Sequence, residues 1–408
     1  MSSDWNDSVL SDVIDFNPKE ELKKGKTAKK IAMEELHPFD KKVNGFTLAE
    51  YSGGAKFRNG DTLLARITPC LENGKTAYVD ILEKDEIAFG STEFIVMRAK
   101  TGITDEAFIY YLATSPAFRA VAIQSMTGTS GRQRVQNNLL ENAVFRIPTL
   151  PEQRAIAATL SALDDKIELN NRINKTLEEM AQALFKQWFV DFEFPDENGQ
   201  PYKSSGGEME ESELGPIPKG WKVGELDQVI EIYDSQRIPL AGNVRSGRKG
   251  IYPYYGAATI MDYIDTWIFD GVYLLLAEDG SVVTANDGPV LQYAWGKFWV
   301  NNHAHVLQGK NGFSVEQLLL LLQRVNVRPY ITGAVQLKIN QANLKRIPVV
   351  IPAQDICLNF NKVIEKQFAM IRDNINETNI LGILRDALLP KLMSGEIRVP
   401  IEEVAADV

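Results

Sequence analysis

The feature that most constrains this chain is that it repeats itself. The spacing W-x4-L-x2-V-I, formed by Trp5, Leu10, Val13 and Ile14, returns at Trp221, Leu226, Val229 and Ile230. RIPTLPEQ (residues 146–153) is echoed by RIPVVIPAQ (residues 346–354), and a helical pattern follows each. In the first pattern Ile156, Leu160, Leu163, Ile167, Leu177, Ala181, Leu184 and Trp188 lie on one face, with Asn170 and Asn174 filling two slots between them. In the second, Ile364, Phe368, Ile371 and Ile375 step by four, three and four. Such steps keep one helix face apolar, and polar residues inside the seam fix register at some cost in stability. Pro151 suits a first helical turn, and 1.5 Å of rise per residue makes residues 152–188 a rod of roughly 55 Å. Repetition at this scale predicts globular region, long helix, globular region, long helix, with pseudo-two-fold symmetry inside one chain.

The globular regions, residues 1–150 and 220–350, mix strand-like runs (DTLLARI, EFIVMR, YLLLAE, HVLQ) with helical patches such as DEAFIYYLATSPAFRAVAI and VEQLLLLLQRV. Both read as α/β, or mixed α+β, domains. Residues 151–192 and 351–408 read as helical spacers, and residues 193–219, rich in Pro, Gly, Ser and Glu, as a linker.

The chain's net charge of −10 argues at first sight against a nucleic-acid partner. The charge is unevenly placed, however. Residues 178–213 hold ten acids against two lysines, whereas residues 107–140 carry Arg119, Arg132 and Arg134 with no acid. Residues 317–354 likewise carry Arg324, Arg328, Lys338, Lys345 and Arg346 with no acid, and the local field is what a phosphate backbone meets. No run of eighteen apolar residues is present, the start MSSDWNDSVL does not read as a signal peptide, and Cys70 and Cys357 lie far apart. These features lead us to expect a cytoplasmic chain without a membrane partner.

Catalytic motifs are missing. The G-x4-G-K-[ST] phosphate loop fails before Gly74, because Pro69 stands where the first glycine is needed. His303 and His305 form an H-x-H without a nearby acid or cysteine cluster, so a satisfied hydrogen-bonding pair is expected in place of a metal site. His37 stands alone, and no G-x-S-x-G or dinucleotide fingerprint occurs. We therefore expect no catalytic residue, cofactor site or metal.

The proline–Glu–Gln start of the first helix (Pro151, Glu152, Gln153), ELNNRIN, LFKQWFVDF, ELGPIPKGW and LLPKLMSGEI resemble the specificity (S) subunit of type I restriction-modification systems. GVYLLLAEDGSV and VNNHAHVLQ resemble one of its target-recognition domains, while the first globular region is less similar. The resemblance implies two target-recognition domains separated by two long antiparallel coiled-coil helices. It implies a non-catalytic chain that reads a bipartite, asymmetric site on double-stranded DNA. It also implies docking of two methyltransferase (M) subunits, which bind S-adenosylmethionine, and of restriction (R) subunits. A non-catalytic coiled-coil scaffold or adaptor with DNA-binding domains outside restriction-modification is the alternative reading; a purely structural coiled-coil adaptor would explain the helices but not two similar domains with acid-free basic loops.

Direct readout needs Arg, Lys, Asn, Gln or hydroxyl side chains on loops near basic stretches. In the first domain TGTSGRQRVQNN offers Arg132, Gln133, Arg134 and Asn137. In the second, TGAVQLKINQAN offers Gln336, Lys338 and Asn340, and YPYYGAAT offers Tyr254, Tyr255 and Thr259. The starts Thr127–Gly128 and Thr332–Gly333 repeat between halves. Lys23, Lys24, Lys26, Lys29 and Lys30 form a basic run that suits an exposed helix face as well as phosphate contact.

Overall fold

Each copy of the repeated tryptophan motif begins a domain that closes on itself. In the computed structural model, which describes residues 5–333 and 336–400, strand Asn6–Val9 pairs antiparallel with Val144–Ile147, and strand Lys222–Glu225 with Pro348–Ile351. Both domains thus begin and end on a two-stranded ribbon. The repeated apolar residues lie beneath it: Leu10, Val13 and Ile14 in one core, Leu226, Val229 and Ile230 in the other. The repeat in sequence is a repeat of these cores.

The chain divides into two units. The first comprises residues 1–170 and Glu377–Val408, the second Asn171–Asn376. In the first unit one four-stranded sheet runs in the order Ile14–Phe16, Phe94–Ala99, Thr62–Ala65, Thr76–Tyr78. A second four-stranded sheet is built from Thr47–Glu50, Thr27–Ile31, Ala88–Gly90 and Lys56–Phe57. The helical patch of this domain is two helices, Glu106–Thr114 and Pro116–Gln124, divided where Ser115 caps the second and Pro116 opens it. The basic run is corrected: Thr27–Ile31 is a strand, and Lys29 faces Glu86 at 2.9 Å. Alternation along a strand, in place of a helical stripe, brings Lys29 to an acid 57 positions away.

The second unit carries one six-stranded sheet, in the order Ile230–Ile232, Ala304–Gly309, Phe269–Ala277, Leu291–Val300, Lys249–Tyr255, Ile260–Ile264. The long ribbon formed by Phe269–Ala277 and Leu291–Val300 contains the facing pair Gly271 and Gly296, both at positive φ (137° and 71°), where side chains would strain the backbone. Residues 193–219 are folded in place. Phe194 stacks on Trp221 (5.1 Å) and Tyr202 (4.6 Å), and the short strands Met209–Glu210 and Ile217–Pro218 pair. The Pro- and Gly-rich composition hid two aromatic anchors, Phe194 and Tyr202, which pack with Trp221 of the repeated motif.

The two long helices are Leu150–Phe189 and Gln354–Ser394. Within the first unit Asp164 meets Arg385 (2.8 Å) and Asn170 meets Glu377 (2.8 Å). Within the second, Asn174 meets Asn374 (2.8 Å), and Phe185 and Trp188 pack on Phe360. Rising numbers on one helix meet falling numbers on the other, so the packing in each unit is antiparallel. Asn170 and Asn174, buried within the seam, make side-chain hydrogen bonds across it, which is how a buried polar pair fixes register. No helix among the described residues is long and apolar enough to cross a membrane.

Candidate nucleic-acid interface

In the first domain residues 127–135 fold back on themselves. Thr127 and Arg134 exchange both backbone hydrogen bonds (2.9 and 3.0 Å). At Gly128, φ is +132° and a Cβ would lie 2.9 Å from the Arg132 carbonyl oxygen, so the return requires glycine. The loop lies along residues that continue strand Thr62–Ala65: the Val135 amide donates to the Arg66 carbonyl and the Thr68 amide to that of Gln133. Arg134 grips Glu93 in a bidentate pair (Nη2–Oε1 2.7 Å, Nε–Oε2 2.9 Å). That hydrogen-bonded guanidinium holds the Glu93 carboxyl below its usual range. Arg132 is exposed and makes no side-chain hydrogen bond among the described residues. Gln133 and Asn137 are half-buried beside it, Asn137 in the first turn of helix Asn137–Glu141. The four candidates therefore share one edge, with Arg132 presented and Arg134 engaged.

In the second domain four separate segments converge. The Asn301 amide donates to the Tyr255 carbonyl (3.1 Å), the Glu278 amide to that of His303 (2.9 Å), and the Ile339 amide to that of Glu278 (2.9 Å). Residues 255–261, 278–280, 301–303 and 336–339 thus form one edge. Thr259 and Gln336 are exposed there, and Lys338 is partly exposed with its Nζ 3.0 Å from Glu278. Tyr254 and Tyr255 require correction: they are 1% and 8% exposed, in the core. The Tyr254 hydroxyl accepts the Leu240 amide, and burial pushes the Tyr255 phenol up to about 12. The expected loop is here the strand Lys249–Tyr255, which lies between two neighbouring strands of the sheet.

Asn340 has a structural duty, accepting the Asn343 amide at 2.8 Å to cap helix Gln341–Lys345. Its replacement by alanine should cost about 1 kcal/mol of folding stability, read by urea unfolding. An unchanged midpoint would show that the cap contributes nothing.

From the sequence Glu278 and Asp279 before Gly280 read as a turn, and Glu93 and Asn301 were missed, because each meets its loop from a distant segment; Arg134 and Glu93 are 41 positions apart. Only the H-x-H offered a signal. Its two rings diverge: His303 Nδ1 meets Asp279 (2.7 Å) and the buried His305 Nδ1 meets Asp234 (2.6 Å). Among the described residues the ligand atoms of Asp234, Glu278 and His305 lie within 4.8 Å of one another. Positive charge is already supplied there by Arg237, 2.8 Å from Glu278 and 3.4 Å from Asp234, and by Lys338. Burial pushes the Asp234 and Glu278 carboxyls up, but hydrogen bonds from His305 to Asp234, and from Arg237 and Lys338 to Glu278, prevail and hold both low.

Residues 2–179 and 218–380 match the family described as the type I restriction modification DNA specificity domain. The MjaIX specificity subunit, a type I restriction enzyme subunit of Methanocaldococcus jannaschii, is 28% identical over 322 residues, covering 74% of this chain and 71% of that one. The HindI specificity subunit of Haemophilus influenzae is 24% identical over 481 residues, covering 97% and 100%. The crystal structure of the type I restriction-modification S subunit of M. genitalium shares the fold, at a TM-score of 0.58 and 14% identity over 96% of both chains. With a matching stretch in each half, each taking in one copy of the tryptophan motif and most of the long helix that closes the half, the chain belongs to the type I restriction-modification DNA specificity family.

Proposed function

We propose that each globular domain reads one half of a split, asymmetric site on double-stranded DNA, and that the long helices set the spacing between halves. The observation that carries this reading is the repeated module: in each half a loop opening on Thr-Gly precedes the closing strand and long helix, at an edge carrying Arg132 in one domain and Lys338 in the other. Residues 1–150 and 220–350 are assigned as the two reading domains, 151–192 and 351–408 as the spacer helices, and 193–219 as their folded connection. Arg132, Gln133, Thr259, Gln336 and Lys338 are the proposed base or phosphate contacts, with Arg134, Asn137 and Asn340 shaping the loops that carry them.

The chain does no chemistry in this reading. Two methyltransferase subunits dock on the helices, where Ile380, Ile383 and Leu384 leave aliphatic surface in water, and restriction subunits join through that core in the cytoplasm. Sequencing methylated bases in cells carrying this chain and its M partner should reveal one asymmetric motif of two short specific parts around an unspecified spacer. A single continuous motif would refute the division between domains. Purified chain incubated with S-adenosylmethionine and DNA should transfer no methyl group.

A further inference from the structure

The two reading edges are held from beneath in different ways. In the first domain the grip is the Arg134–Glu93 pair, with the arginine side chain 45% exposed. In the second it is a network that joins residues 338–341 to the buried Asp234 and His305. Lys338 reaches Glu278, the Ile339 amide donates to the Glu278 carbonyl, the Ile339 carbonyl accepts from His305 Nε2 (2.8 Å), and Gln341 Nε2 donates to Asp234 (2.6 Å). Asp234 also accepts the Val306 amide (2.9 Å) and His305 Nδ1 (2.6 Å), so it and His305 tie the segment to strand Ala304–Gly309.

His305 is fully buried, and both of its ring nitrogens face acceptors. A backbone carbonyl can only accept, and the carboxylate of Asp234, held low as described, also accepts. The ring thus bridges Asp234 and the backbone of Ile339. The charged groups around the ring are Asp234 and Arg237 from the turn at 234–237, Glu278 (3.7 Å from Nδ1) from the end of strand Phe269–Ala277, and Lys338 beyond Glu278; Gln341 is neutral. Arg237 is paired with both carboxylates and Lys338 with Glu278.

We propose that His305 and Asp234 are positioning residues for DNA reading by the second domain: without touching DNA, they fix the segment at 338–341 from below and so set which bases its half-site accepts. This rests on the two-domain reading above, and the first domain, whose loop is held by an arginine and a glutamate, serves as the control within the same molecule.

The test uses the full chain assembled with its M subunits, selecting from DNA in which both half-sites are randomised. His305→Leu should reduce discrimination at the second half-site about tenfold, the scale of one lost base contact, and leave the first unchanged. His305→Gln, which keeps an N–H donor, should recover part of that loss. Equal losses at both half-sites, unchanged selectivity in both variants, or a loss in His305→Gln as large as in His305→Leu overturns the proposal. Failure of the wild-type complex to select two separate half-sites would reject the two-domain reading itself, and this inference with it.

Discussion

A spacer longer by one or two base pairs, with unchanged half-site letters, is the expected result of inserting four residues into each long helix. The insertions belong between Asn170 and Asn174 in the first helix and between Asn374 and Glu377 in the second. Placed there, they keep both polar pairs, Asn170 with Glu377 and Asn174 with Asn374. Four residues add about 6 Å and about 40° of net turn. A duplex rises about 3.4 Å per base pair along one strand, so the added length corresponds to one or two pairs. At the original spacing the two halves could no longer be engaged together, and affinity should fall on the order of a thousandfold toward the non-specific level. An insertion into the first helix alone sets Asn174 against the wrong partner and should weaken the assembled chain instead. The measurement is the methylation motif of each variant complex. Half-site letters that change while the spacing stays fixed would defeat the assignment of spacing to the helices.

Arg132→Ala should cost about 1–3 kcal/mol at the first half-site and nothing at the second, the range for one arginine paired with a base. The reason lies in how differently the loop treats its two arginines: Arg132 is presented to solvent, whereas Arg134 is forked onto Glu93. Arg134→Ala should weaken binding for a second reason, because it leaves the Glu93 carboxylate uncompensated beside a phosphate backbone. Adding Glu93→Gln to that variant should restore part of the loss, while it should do nothing for Arg132→Ala. Binding to half-site variants at fixed salt, with the salt slope measured alongside, separates base reading from charge. Equal losses at both half-sites would show that Arg132 acts through the phosphates or the fold.

Much of the architecture was legible because it is written in short-range patterns. The seam from Ile156 to Trp188 predicted a helix over 152–188, and the helix spans Leu150–Phe189. The tryptophan motif predicted like domains, and Leu10 and Leu226 are both fully buried. What stayed hidden depends on partners far away in sequence. The lysine run at 23–30 gave no sign that Thr27–Ile31 would add to a sheet. Tyr254 and Tyr255 carry side chains suited to a base, and only the sheet around them decides that they are core. The candidate edges were legible as loops but not as assemblies. Nothing near Lys338 in the sequence announces Glu278, and nothing near residues 338–341 announces Asp234 and His305.

The ribbons that close each domain carry a consequence for inheritance. Asn6 lies opposite Ile147 and Lys222 opposite Ile351, so the chain enters and leaves each domain at neighbouring points. Whatever lies between can be exchanged for a foreign segment of different length without changing where the following helix starts, as is general for domains whose ends meet. Gene conversion that crosses over within the repeated flanking motifs would therefore transplant a whole reading domain intact. A population could acquire new targets in single recombination steps, with the helices and their partners undisturbed.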